Sequence, residues 1–157
     1  MALILGTEYC KIDSNGRFKL PIALKRQLGT DDCRIAFRLG YSREYLELWT
    51  YDSIQAEIVE LQKRLNPYNS HDREIKRQMM KASVMELDSN DRISIPSALK
   101  WVIGETTEIV LQGMGDCIEL WNRSAYEKTN DEMEDFAAIV DKRLGEPYGV
   151  PPASDAK

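Results

Sequence analysis

The sequence predicts an α+β fold in which two tandem copies of one small unit, with flanking helices, complete each other's core. Three observations carry this expectation. Asp13-Ser14-Asn15-Gly16-Arg17-Phe18-Lys19-Leu20-Pro21 returns 75 residues on as Asp88-Ser89-Asn90-Asp91-Arg92-Ile93-Ser94-Ile95-Pro96. Leu24, Leu28 and Gly29 recur at the same offset as Leu99, Ile103 and Gly104, and Glu47-Leu48-Trp49 recurs as Glu119-Leu120-Trp121 at an offset of 72. Between and after the copies, apolar residues fall at helical spacing. Two copies are too few for a solenoid, which needs about three repeats to stack a core. A unit this small buries too little alone, so the halves are expected to share one core.

Each part of the unit has a local reason. Asp-Ser-Asn-Gly is turn chemistry, in which the Asp carboxylate accepts backbone N–H groups two residues on and Gly takes the left-handed region cheaply. Phe18 and Leu20 alternate with Arg17 and Lys19, which marks a half-buried strand. Pro21 opens a short helix with Ile22, Leu24 and Leu28 on one stripe, and Gly29 ends it. Glu8–Ile12 and Arg17–Leu20 are expected as a hairpin-like pair, with further strands at Arg34–Leu39 and Tyr45–Trp49. Asp52, with Gln55, reads as the cap of a helix over 53–66 carrying Ile54, Ile58, Leu61 and Leu65. Asn66-Pro67-Tyr68-Asn69 breaks it, and Ser70 is placed to cap a second helix with Ile75, Met79 and Met80. The second copy opens with a strand at Ala82–Leu87 and turns at Gly113-Met114-Gly115-Asp116. Ser124 and Glu127 form a capping box ahead of one C-terminal helix over 125–144, and the Pro-rich tail 146–157 is expected to be mobile. The organisation read from the chain is therefore 5–54, 55–80, 81–124, 125–145 and 146–157.

Composition narrows the function. No apolar run approaches the ~20 residues of a membrane span, and the first residues lack the basic start of a signal peptide. The three cysteines, Cys10, Cys33 and Cys117, have no C-x-x-C spacing and fit reduced thiols in a cytoplasm. The net charge is −5, but it is uneven: residues 1–50 hold eight Lys/Arg against six Asp/Glu, and residues 101–157 hold five against twelve. The acid of the last third leaves the first copy able to present a basic face.

Catalytic chemistry has little to work with. The only histidine, His71, sits at a helix start without a partner or an orienter, and no nucleophile elbow, phosphate loop or metal-ligand spacing occurs. We expect no enzyme, no metal, no cofactor and no small-molecule substrate. Asp13 and Asp88 read as structural turn anchors together with Gly16, and Trp49 and Trp121 as core. Arg17 and Arg92 each follow a turn Asp by four residues and read equally as braces of the loop or as guanidiniums presented to guanine or phosphate. Lys11, Lys19, Lys25 and Arg26 cluster around Arg17, which tilts the reading towards binding.

These residues carry a family resemblance. The doubled D-x-x-[GD]-R with its following Pro, the doubled E-L-W and the intervening helical pair resemble the MraZ family of bacterial transcriptional regulators, encoded at the head of the division and cell-wall gene cluster. Within the first copy, the stretch from Asp13 to Gly29 is similar to the AbrB-type DNA-binding half-unit. The resemblance implies a swapped-hairpin (AbrB/SpoVT-type) β-barrel formed by the two repeats, and a cytoplasmic, nucleoid-associated repressor. It also implies a ring-like homo-oligomer that binds short direct repeats in double-stranded DNA upstream of its own operon. It carries a DNA-binding role onto Arg17 and Arg92; with these we group Lys11, Asn15, Lys19, Lys25 and Arg26. The chain departs from the family pattern at Asp91, where Gly is usual. That carboxylate beside Arg92 is expected to neutralise it, and Ser94 and Trp101 replace Lys19 and Arg26, so the second copy is expected to contribute less to DNA binding. Alternatives are an antitoxin of the MazE type and an oligomeric scaffold that does not bind DNA.

Overall fold

The turn-and-strand chemistry of both copies is realised in the computed structural model, which describes residues 3–133 and 135–145. The chain divides into one compact unit through Ala125 and a second from Tyr126. In order, the elements are β1 (Thr7–Lys11), β2 (Arg17–Lys19), α1 (Ile22–Lys25) with a 3₁₀ turn over Arg26–Leu28, β3 (Arg34–Leu39) and β4 (Leu46–Thr50). The helices α2 (Tyr51–Lys63) and α3 (Ser70–Met79) follow, then β5 (Ala82–Glu86), β6 (Arg92–Ser94), a 3₁₀ turn over Ser97–Val102, β7 (Glu108–Gly113) and β8 (Ile118–Asn122). The last elements among the described residues are α4 (Arg123–Asp131) and α5 (Phe136–Leu144).

The expected barrel is not closed. Six strands form an antiparallel sheet in the order β1-β7-β8-β4-β3-β5, and β2 and β6 form a separate two-stranded ribbon. The expected pairing of Glu8–Ile12 with Arg17–Leu20 does not occur either. β1 pairs with β7 (Tyr9 opposite Val110), β5 with β3 (Val84 opposite Ala36) and β2 with β6 (Phe18 opposite Ile93). Each first strand thus lies against the third strand of the other copy. β2 and β6 cannot extend to close a barrel, because each is three residues long and Pro21 and Pro96, lacking N–H, follow two positions later.

Period-2 alternation decides what faces inward. Ile12, Phe18, Leu20 and Leu24 from the first copy and Leu87, Ile93, Ile95 and Ile103 from the second join Phe37, Leu46, Leu111 and Leu120 in one buried cluster. Each fully buried Leu, Ile or Phe contributes about 1.5–3 kcal/mol, so the ribbon is pinned to the sheet through Phe18 and Ile93. On the opposite face of the sheet, Ile54 of α2 packs with Ala36, Trp49 and Cys117.

The caps differ from expectation. Thr50, not Asp52, caps α2 by accepting from Ser53 N–H at 3.1 Å, which leaves the Asp52 charge in the first turn, where the helix dipole favours it. Asn69, not Ser70, caps α3 through Asp72 N–H at 3.0 Å. Asn122 accepts from Ser124 N–H at 2.8 Å and starts α4. The single helix expected over 125–144 is two: Thr129-Asn130-Asp131 propagate a helix poorly, and Asp135 caps α5 through Ala137 N–H at 3.0 Å. The tail 146–157 lies outside the described residues. Among the described residues no helix is long and apolar enough to cross a membrane.

Candidate nucleic-acid interface

Two matching turns hold the arginines. Asp13 Oδ1 accepts from the backbone N–H groups of Asn15 and Arg17, each at 2.9 Å, and Gly16 N–H returns to Asp13 O at 3.0 Å. Asp88 Oδ1 does the same with Asn90 N–H at 2.8 Å and Arg92 N–H at 2.9 Å. Gly16 has φ 78°, and Asp91 takes the same left-handed corner at φ 62°, which Asp tolerates better than most residues. The N–H of the arginine four residues on is the chief reason that each aspartate carboxyl lies below its ordinary value. Both residues are turn anchors by geometry.

Beyond the turns the ribbon sorts its side chains. Phe18 and Ile93 are 2% and 3% exposed, so the intervening Arg17, Lys19, Arg92 and Ser94 point the other way. Lys19 lies directly opposite Arg92, and Arg17 opposite Ser94. The ladder is flanked by Leu20 N–H to Asp91 O and Ile95 N–H to Gly16 O, both 2.8 Å. Lys11, Asp13, Arg17, Lys19 and Arg92 line a groove of about 330 Å³ along this face. Cations from both copies thus meet on one two-stranded ribbon, a shape that enters a DNA major groove.

The two arginines differ in pairing, and not as the sequence implies. Arg17 Nε is 3.4 Å from Asp13 Oδ2, an exposed contact worth little energetically. Arg92 forms no ion pair among the described residues. The Asp91 carboxylate, expected to neutralise it, instead accepts from Lys25 Nζ at 2.7 Å, because the left-handed corner turns it towards α1 of the other copy. Lys25 is thereby held at the Asp91 turn, while Arg26 and Asn15 are exposed. The sequence reading left Asn90 and Lys100 out of its candidate set. The repeat itself could have found them as counterparts of Asn15 and Lys25.

The groove carries the Lys11, Arg17, Lys19 and Arg92 donors beside the Asp13 carboxylate. Burial pushes the Cys10 thiol up to about 11 and raises the Cys117 thiol further, which leaves both poor nucleophiles. Among the described residues no group of His, Cys, Asp and Glu could hold a metal ion.

The chain has close relatives. The transcriptional regulator MraZ of Christiangramia forsetii is 32% identical over 152 residues, spanning 92% of this chain and 95% of the relative. The chain belongs to the MraZ family. The corresponding protein of Flavobacterium psychrophilum is 31% identical over 160 residues, covering 96% of this chain and 99% of its own length. That of Desulfosudis oleivorans is 32% identical over 145 residues, covering 87% and 96%. The family model, described as "MraZ protein, putative antitoxin-like", matches residues 79–146, which include the Asp88–Arg92 turn, β6 and the MraZ-type E-L-W strand end at Glu119-Leu120-Trp121.

Proposed function

We propose that this chain is a sequence-specific DNA-binding transcriptional repressor that acts through the exposed face of the β2–β6 ribbon. The observation that carries the reading is the meeting of Arg17, Lys19 and Arg92 on one face, backed by buried Phe18 and Ile93. Membership of a family whose relatives are named transcriptional regulators supports it. In this reading 5–54 and 81–124 are two AbrB-like repeats that stand in for a dimer, and the arginines fork onto guanine while the lysines meet phosphate. One ribbon makes only a few phosphate contacts. Useful affinity therefore comes from several subunits of a ring-like homo-oligomer engaging short direct repeats upstream of the chain's own operon. The protein would then reside in the cytoplasm, on the nucleoid.

The test is fluorescence anisotropy with a labelled duplex of the DNA upstream of its own gene, between about 50 and 200 mM salt. Arg17→Ala and Arg92→Ala should each weaken specific binding by roughly 5- to 150-fold, the equivalent of one bidentate guanine contact. Wild-type affinity in both variants would overturn the ribbon as the binding face, and a wild type that does not bind the duplex would favour a scaffold. Light scattering at micromolar concentration should give a mass well above a dimer, and a monomer would refute the ring.

A further inference from the structure

The basic ribbon continues past Gly16 into a second, larger cleft. It encloses about 820 Å³ and is lined by Ser14, Gly16, Lys100, Trp101, Thr106 and Thr107, among others. Lys25 and Lys100 are counterparts in the two copies, as are Gly16 and Asp91, and each lysine reaches the turn of the opposite copy. Their fates differ because of one residue. Lys25 meets the Asp91 carboxylate at 2.7 Å. Lys100 crosses over Gly16 so closely that a Cβ at position 16 would lie 2.7 Å from its Cε and 3.4 Å from its Nζ. No carboxylate pairs with Lys100 among the described residues. Beside it, Trp101 is 54% exposed, and the Arg43 guanidinium lies over its ring at 5.3 Å.

We infer that this cleft is a second nucleic-acid site, one that takes the phosphodiester backbone, with Lys100 as its cation. The inference rests on the DNA-binding reading above and adds to it. Lys100 adjoins Gly16, the residue next to Arg17, so a strand crossing the ribbon face passes this ammonium. The Ser14 and Thr107 hydroxyls offer neutral donors to phosphate oxygens, while the Thr106 hydroxyl donates to the Glu108 carbonyl at 3.0 Å; Trp101, with the Arg43 guanidinium over its ring, supplies a flat cationic wall beside a sugar. Asp13 and Glu105 also line the cleft. Asp13 is engaged by its own turn N–H groups and Arg17, and Glu105 sits with Gly104 at the far side of Trp101 in sequence. The Gly16/Asp91 difference therefore assigns opposite roles to equivalent lysines: Lys25 ties the two copies together, and Lys100 meets DNA.

The experiment measures the slope of log affinity against log salt for the full chain on the same labelled duplex. Each phosphate contact contributes about 0.9 to that slope per bound subunit. Lys100→Ala should lower it by about that amount and Lys100→Arg should restore it, with circular dichroism melts reporting that the variants fold. The pair deletion Lys25→Ala/Asp91→Gly should leave the slope at its wild-type value. Asp91→Gly alone, which frees Lys25, should raise it by about 0.9. A wild-type slope in Lys100→Ala, or an equal loss in Lys25→Ala/Asp91→Gly, overturns the inference. If the wild type binds and Arg17→Ala weakens it while Lys100→Ala does not, this site falls and the ribbon stands. If the wild type shows no salt-dependent binding, both fall.

Discussion

Removing the Arg38 side chain should be the most damaging single polar change in the first compact unit. Arg38 sits on β3, 3% exposed, on the sheet face away from the main core. Its Nη2 is 3.0 Å from Glu47 on β4, and its Nη1 is 2.9 Å from Glu57 on α2 and 3.1 Å from the Met79 carbonyl at the end of α3. Arg38→Ala leaves Glu47, largely buried, directly opposite Glu119, with Trp49 Nε1–H as a remaining donor at 3.1 Å. Breaking a buried ion pair by deleting one partner costs about 3–5 kcal/mol. At about 2–4 °C per kcal/mol for a chain of this size, melting should fall by roughly 6–20 °C. Thermal melts by circular dichroism at neutral pH read this directly. Arg38→Leu/Glu47→Leu should recover much of the loss, since the more buried Glu47 charge is then not left unpaired and only Glu57, the more exposed of the two carboxylates, loses its partner. Melting of Arg38→Ala within ~2 °C of wild type would refute the reasoning, because it would mean Glu47 never depended on the guanidinium.

Two further outcomes concern acidity. The Glu119 carboxyl is raised above 4.5, first by burial and then by Glu47, against a lowering from the Trp121 indole N–H. The native state thus holds that proton more tightly than the unfolded chain, and this contribution to stability is lost as pH rises through the raised value. Glu119→Gln, whose amide oxygen can still accept from Trp121, should melt higher than wild type near pH 8 and flatten the pH dependence above 4.5; a lower melt there would count against it. Asp13 and Asp88 carry the opposite sign: both are lowered below 3.8 by turn N–H groups, so their contribution is present above 3.8 and lost as pH falls through the depressed values. Asp13→Asn/Asp88→Asn should therefore show a shallower acid limb below pH 3.8 in melts followed at several pH values. An unchanged limb would show that the turns do not bind protons on unfolding.

What could be read in advance follows from the range of the interactions. The Asp13 and Asp88 turns were legible because their bonds run two and four residues along the chain. The inward faces of Phe18, Leu20, Ile93 and Ile95 were legible because alternation states a face. Alternation does not state a neighbour, and so β1 was assigned to β2 when its hydrogen bonds go to β7. Thr50 displaced Asp52 as a cap because β4 runs straight into α2, which a search for acidic starts overlooks. The contact between Lys25 and Asp91 spans 66 residues and leaves no local mark, so the adjacent Arg92 was assumed to receive the carboxylate. Arg38 leaves no local mark in the sequence, since its partners lie on three further elements. Segment charge could not show that Arg17, Lys19 and Arg92 share a ribbon, because it counts residues without pairing them.

The exchange of first strands also sets a timetable for the chain's birth. Thr7 is opposite Gln112 and Lys11 opposite Glu108, so β1 leaves the ribosome well before its partner and has no place in the sheet until β7 has emerged. At about 5–20 residues per second, the ~100 residues between them take roughly 5–20 s. β3 and β4 can form their hairpin and receive β5 well within that time, since all three precede β7. During the wait β1 is an unpaired strand on a tethered, half-made sheet, the kind of edge that pairs with whatever is near. On a polysome, the nearest free strand of matching sequence is the same segment of the neighbouring nascent chain.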